Sequence, residues 1–154
     1  NHFETKVALD FNESATYTFK KNMPEVDVIS GDITNEEIRN LIIKKNKEKK
    51  VNMIIGGPPC QGFAMKGKKL GLADERNFLF LEYLKIVEEL EPEVFVIENV
   101  KRILSSSGGY FKDEILKYIE KLGYNVSYGV LNAKDFGVPQ SRKELFSYVV
   151  KRKE

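Results

Sequence analysis

The chain has 154 residues and a net charge of +2, with 42% apolar and 31% charged residues. This is enough sequence for one globular domain, and we treat residues 1–154 as that domain. No apolar run approaches the roughly 20 residues of a membrane-spanning helix, so we expect no membrane partner and a cytoplasmic location. One cysteine excludes an internal disulfide bond, and one histidine leaves no cluster of metal ligands, so we predict no metal.

Strand-like and helix-like patterns alternate along the chain. The predicted strands are 6–11, 26–29, 53–55, 94–97, 125–131 and 144–150. The predicted helices are 13–22, 35–49, 77–89 and 111–122. This alternation predicts an α/β fold with a mostly parallel sheet, in which the last two strands form an antiparallel hairpin.

Two details of the early helices can be predicted. In the first helix, Ala15 and Phe19 are expected on the inner face, with Thr16 as a further candidate. Thr34 is expected to cap the second helix. The second helix ends in the basic run Lys44–Lys50. We interpret this run as a solvated helix end, which suits the helix dipole, rather than as a DNA-binding patch.

The strand at 53–55 runs into a stiff turn that carries the only cysteine. Gly56–Pro59 stops the strand, because neither proline can donate a hydrogen bond to a sheet and both fix φ, and Cys60 follows directly. A lone thiol just past a strand is typical of a nucleophile in an α/β protein. The alternative is a buried structural cysteine, but the flanking residues are not apolar, which favours the nucleophile.

Polar residues follow the first two strands where those strands end. Asp10 could accept hydrogen bonds from ribose hydroxyls, and Phe11 could stack on a purine. Asp32 could accept from an exocyclic amine while Ile33 packs against the ring. Each residue alone could equally be an ordinary strand-ending aspartate or a core side chain. At successive strand ends they together predict a nucleoside-binding site.

Two further residues could act on a base. Glu98 follows four apolar residues, which predicts a partly desolvated carboxyl group that, when protonated, could hydrogen-bond a pyrimidine N3. Arg142 could bind a base carbonyl or a phosphate and could favour the Cys60 thiolate. The alternatives are a glutamate that pairs with a lysine and an ordinary surface arginine.

The turn Gly57-Pro58-Pro59-Cys60-Gln61-Gly62-Phe63 resembles the catalytic Pro-Cys-Gln loop of the cytosine-5 DNA methyltransferases. Other segments resemble further motifs of that family, in its order and approximate spacing. They are Val7–Ala15 with Asn22–Pro24, Gly31–Ile33, Asp74–Phe80, Glu98–Val100 and Leu131–Arg142.

The resemblance implies a Rossmann-like methyltransferase fold that uses S-adenosylmethionine and releases S-adenosylhomocysteine. The substrate implied is a cytosine flipped out of double-stranded DNA and methylated at C5. Cys60 would attack C6, Glu98 would bind N3 and Arg142 would bind the polar edge of the base. The implied cofactor-binding residues are Asp10, Phe11, Asp32, Ile33, Gly57, Pro59 and Leu79.

This sequence departs from the family pattern in three places. The Phe-x-Gly-x-Gly loop and the first central strand before it are absent, and so is the target-recognition domain. Glu144 stands where the second arginine of Gln-x-Arg-x-Arg is usual. A longer polypeptide or a second subunit would supply the missing parts. The alternative functions are a catalytically impaired module that binds cofactor or DNA, and an RNA cytosine-5 methyltransferase of the same fold.

Overall fold

The structure is a computed structural model that describes residues 3–59, 78–100 and 110–152. Its strands are β1 (Val7–Asp10), β2 (Asp27–Ser30), β3 (Met53–Gly56), β4 (Val94–Val100), β5 (Tyr124–Asn132) and β6 (Lys143–Lys151). Its helices are α1 (Glu13–Asn22), α2 (Glu36–Lys49), α3 (Phe78–Leu90) and α4 (Tyr110–Lys121), with a short 3₁₀ helix at Ala133–Phe136.

The chain forms two compact units, and each is described by itself. The first unit contains the described residues of Asn1–Val51 together with Lys85–Glu91. The second contains the described residues of Asn52–Leu84 and Pro92–Glu154. β1 and β2 form a two-stranded sheet in the first unit, and the other four strands form a sheet in the second.

Parallel pairing of β1 with β2 organises the first unit, and each strand is followed by an asparagine-capped helix. The Asn12 side chain accepts hydrogen bonds from the first turn of α1, and Asn35 does the same for α2. The prediction of Thr34 as a cap was wrong, because its hydroxyl donates to Asp32 Oδ1 at 2.8 Å instead.

The inner face of α1 agrees with the prediction for Thr16 but not for Ala15. Thr16 is buried, whereas Ala15 is exposed and Phe19 is half-buried. The Thr16 hydroxyl hydrogen-bonds to the Glu13 carbonyl at 3.0 Å and lies 3.3 Å from the Ser30 hydroxyl, so this polar side chain is satisfied where it is buried. The expectation that Ala15 faces inward was therefore wrong.

The basic end of α2 lies among carboxylates. Lys45 and Lys49 lie 3.2 and 3.7 Å from Asp27 Oδ2, and Lys47 lies 2.7 Å from Glu89. Partly exposed pairs of this kind contribute little to stability, but they do neutralise the run. The arrangement agrees with the interpretation of a solvated helix end.

In the second unit the strand order is β3-β4-β6-β5. β3 is parallel to β4, whereas β6 is antiparallel to both β4 and β5. One face of this sheet packs against apolar side chains of α3 and α4, and the Phe95 ring makes edge contacts with Tyr83 and Tyr124. The buried core residues here include Phe80, Tyr83, Leu84, Phe95, Ile97, Ile119, Tyr124, Leu145 and Val149.

The α/β fold and its antiparallel C-terminal strand pair are confirmed. Among the described strands, two neighbouring pairs are parallel and two are antiparallel. Within the ranges that the structure covers, no helix has the length and apolar character needed to cross a bilayer.

The buried hydroxyl of Tyr124 should stabilise the second unit. Tyr124 is 2% exposed and donates to the Pro92 carbonyl at 2.8 Å. We expect Tyr124→Phe to lower the free energy of unfolding by about 1 kcal/mol, measured by urea denaturation. Tyr128→Phe is the matched control on the same strand, because Tyr128 is 48% exposed. Equal losses from both variants would contradict this role.

Candidate active site

The end of β1 presents a carboxylate and an aromatic ring. Asp10 is exposed, and its Oδ1 accepts the N–H of Asn12 at 2.8 Å. Phe11 is 79% exposed, so the alternative that it is a core residue was wrong. An exposed ring beside a carboxylate has the chemistry to stack on a purine and to accept hydrogen bonds from sugar hydroxyls.

The end of β2 lies beside the end of β1, as parallel pairing requires. The Gly31 N–H donates to the Asp10 carbonyl at 3.0 Å. Asp32 follows, and its Oδ1 accepts both the N–H and the hydroxyl of Thr34 at 2.8 Å each. These two hydrogen bonds lower the pKa of Asp32, because they favour the charged carboxylate. Ile33 is half-buried between these polar residues.

In the second unit, the ends of β3 and β4 meet in the same way. Gly56 pairs with Ile97, which places Gly57 beside Glu98. A Cβ atom on Gly57 would lie only 2.9 Å from Glu98 Oε2. The half-buried Glu98 carboxylate therefore rests against a backbone that has no side chain.

Asn99 fixes the turn that leads to Cys60. It is 7% exposed, and its Nδ2 donates to the Pro58 carbonyl at 3.0 Å while its Oδ1 accepts the N–H of Val100 at 2.9 Å. We did not predict this positioning role from the sequence. The only signal was the position of Asn99 within the Glu-Asn-Val segment, which names a motif but not a contact.

Arg142 precedes β6 and forms an ion pair with Glu144. The Arg142 Nε lies 2.8 Å from Glu144 Oε1, and the two side chains are 60% and 16% exposed. Glu144 pairs with Val100, and Phe146 pairs with Glu98. Glu98 and Glu144 therefore lie on the same face of the sheet, at diagonal positions that are typically about 7 to 8 Å apart.

The predicted nucleophile, Cys60, lies outside the described residues, whereas Pro59 is described and exposed. Leu79 is half-buried in the first turn of α3. The structure thus brings Asp10 together with Asp32 in one unit, and Gly57 together with Glu98 in the other. In the part of the chain that the structure covers, no group of three His, Cys, Asp or Glu side chains is arranged to hold a metal.

Polar side chains beyond the carboxyl ends of neighbouring parallel strands are typical of ligand-binding α/β proteins. The particular family follows from a comparison with known families. The model of the C-5 cytosine-specific DNA methylase family matches residues 1–154, and the chain belongs to that family.

Two curated relatives carry the name Type II methyltransferase. The chain is 42% identical over 153 residues to the Type II methyltransferase M.AquIA of Picosynechococcus. It is 43% identical over 130 residues to the Type II methyltransferase M1.HphI of Haemophilus parahaemolyticus. These alignments cover 94% and 83% of this chain, but only 62% and 35% of those proteins. The chain therefore spans less than two thirds of either relative.

Solved methyltransferase structures have the same fold. A DNMT2 variant from Spodoptera frugiperda is 26% identical, with a TM-score of 0.71 over 98% of this chain and 44% of that one. The Dnmt2 methyltransferase of S. pombe is 24% identical, with a TM-score of 0.72 and the same coverage, 98% and 44%. The predicted methyltransferase fold is confirmed.

The two hydrogen bonds of Asn99 should contribute measurably to the free energy of unfolding. We expect Asn99→Ala to lower the free energy of unfolding by about 1 to 3 kcal/mol, because both bonds are lost from a buried site. Urea denaturation followed by circular dichroism measures the change. The matched control is Asn52→Ala, at an exposed position just before β3. A loss no larger than that of the control would show that the amide does not hold the turn.

The titration of Asp32 should depend on Thr34. The carboxyl should titrate below 3.8, its ordinary pKa, and Thr34→Val should raise that pKa by removing the hydroxyl donor. Because the folded-state pKa is lowered, the stabilisation is present above 3.8 and is lost as the pH falls through the folded-state value. Carboxyl-carbon NMR of both forms measures the pKa. Thr18→Val, which removes an exposed threonine of α1, should leave it unchanged.

Proposed function

We propose that this chain is the cofactor-binding and catalytic part of a DNA (cytosine-5) methyltransferase. The observation that carries the proposal is the close approach of the Glu98 carboxylate to Gly57, at the start of the Cys60 turn, in a chain of this family. A carboxyl group at that point could reach a base that a Cys60 thiolate attacks.

The cofactor proposed is S-adenosylmethionine. The exposed Phe11 ring and the Asp10 and Asp32 carboxylates suit a nucleoside, because they offer stacking and hydrogen-bond acceptors. Ile33, Gly57, Pro59 and Leu79 are assigned to the same ligand by the family resemblance. When bound, this cofactor supplies an electrophilic methyl group. The proposal includes no metal.

The residues proposed to act on the base are Cys60, Glu98 and Arg142. The Cys60 thiolate adds to C6 of cytosine, and the electron pair of the C5–C6 double bond moves toward C5, which becomes nucleophilic. A hydrogen bond between the Glu98 carboxyl group and N3 makes C6 easier to attack. Once C5 carries the methyl group, loss of the C5 proton restores the double bond and expels Cys60.

The substrate proposed is double-stranded DNA, with the target base turned out of the helix because C5 and C6 cannot be reached in the stack. The family description names DNA, which favours it over RNA. A further segment or a second subunit would read the recognition sequence, since the relatives are longer than this chain. The resemblance to Type II methyltransferases supports a role in DNA modification, in the cytoplasm.

Formation of 5-methylcytosine in a cell tests the reaction without knowledge of the recognition sequence. We expect expression of the complete gene product in a host that lacks cytosine-5 methylation to produce 5-methylcytosine in DNA, measured by nucleoside mass spectrometry. Cys60→Ala should abolish the product, because it removes the proposed nucleophile. Product in RNA alone would support the RNA enzyme, and product in neither would support the impaired module.

Covalent trapping tests the mechanism. Fluorine at C5 cannot leave as a cation, so an active enzyme with S-adenosylmethionine should remain attached to a 5-fluorocytosine duplex through Cys60. The complete gene product and this chain should be compared side by side on duplexes that carry 5-fluorocytosine at the position that the enzyme methylates. An adduct that persists in Cys60→Ala would contradict the assigned nucleophile.

A further inference from the structure

The ion pair between Arg142 and Glu144 is unexpected for this family, because the resemblance places an arginine at position 144. Glu144 is 16% exposed, and its Oε1 lies 2.8 Å from Arg142 Nε. A carboxylate so close to a guanidinium does more than remove a positive charge. The Glu144 carboxylate gives the Arg142 side chain a partner at a fixed position.

The backbone of Arg142 is held independently of this ion pair. Its N–H donates to the Gln140 carbonyl at 3.1 Å, and its carbonyl accepts from Ala133 at 2.8 Å. The side chain is nevertheless 60% exposed and would be free to rotate about several bonds without a partner. Glu144 lies within β6, between β4 and β5, so its own backbone is fixed on both sides.

The ion pair engages only one edge of the guanidinium. The contact involves Nε, and no acceptor for the two terminal nitrogens is observed among residues 3–59, 78–100 and 110–152. Those nitrogens carry four of the five N–H donors of an arginine. They can bind a carbonyl oxygen in a fork while Glu144 fixes the orientation of the group.

The strand register places this group near Glu98. Glu98 and Glu144 lie on the same face of the sheet and are diagonal neighbours across β4 and β6. We propose that Glu144 is a positioning residue that holds Arg142 so that its terminal N–H groups meet the carbonyl edge of the target pyrimidine beside Glu98. This inference rests on the proposed function.

The opposite interpretation is that Glu144 is a defect that weakens an ancestral enzyme. The two interpretations predict opposite results for Glu144→Arg. If Glu144 is a defect, restoring the family residue raises activity. If Glu144 positions Arg142, the substitution removes the partner and adds a second guanidinium beside the first, so activity falls.

A double-mutant cycle measures whether Glu144 acts through Arg142. The variants are Glu144→Ala, Arg142→Ala and the double variant, each made in the complete gene product and tested on DNA that the unaltered protein methylates. We expect Glu144→Ala to slow single-turnover methylation about 10- to 100-fold, as misplaced catalytic groups do. In the Arg142→Ala background the same change should alter the rate less than about twofold, because the group to be positioned is gone.

Two further variants separate positioning from folding. Glu144→Gln keeps an oxygen that can accept from Nε, so it should retain more activity than Glu144→Ala. Lys143→Ala is the matched control, because Lys143 is the exposed neighbour on the same strand. Lys143→Ala should leave the single-turnover methylation rate unchanged. Urea denaturation of each variant would reveal a loss that arises from unfolding.

Equal losses from Glu144→Ala with and without Arg142 would overturn the inference, and so would a gain of activity in Glu144→Arg. If the proposed methyltransferase function is wrong, the result is different, because the unaltered protein itself would form no 5-methylcytosine. In that case the Arg142 Nε–H NMR signal still tests the ion pair. Its exchange with water should accelerate in Glu144→Ala, and an unchanged rate would show that Glu144 does not hold the side chain.

Discussion

The parallel pairing of β3 with β4 is the constraint on which the second unit's site depends. Both strands end at the same edge, so the turn after β3 begins beside the polar residues that close β4. Asn99 then connects the two through a hydrogen bond to the Pro58 carbonyl, and it is buried while it does so. A shift of one residue in the pairing would turn Asn99 to the opposite face and separate the turn from the strand.

The start of β6 also lies at this edge of the sheet. Because it runs opposite to β4, its first residues lie beside the last residues of β4, with Glu144 opposite Val100. Arg142 therefore reaches the face that carries Glu98, although the two residues are distant along the chain. The strand order, not proximity in sequence, assembles the polar group proposed to bind the base.

The residues that end apolar strands could be predicted from the sequence, because a polar residue after an apolar run marks where a buried strand emerges. Asp10 and Glu98 were identified in this way. Thr34 was assigned wrongly, because it stands next to Asn35 and both types cap helices, and the competing Asp32 carboxylate decided between them. The contacts of Asn99 and Glu144 depend on strand register, which the pattern of apolar residues does not specify. The position of Cys60 stays a prediction.

The absence of a side chain at Gly57 also means that substitutions at positions 57 and 98 affect each other in directed evolution. A Cβ atom there would lie 2.9 Å from Glu98 Oε2, at the end of a flexible side chain, so a side chain at position 57 would displace the Glu98 carboxyl group. A library that randomises position 57 should therefore yield folded variants with other residues there, and selection for activity should favour those that leave the Glu98 carboxyl group in place. Sequence variation at one position is thereby conditioned on the other, and a substitution tolerated in one relative need not transfer to this chain.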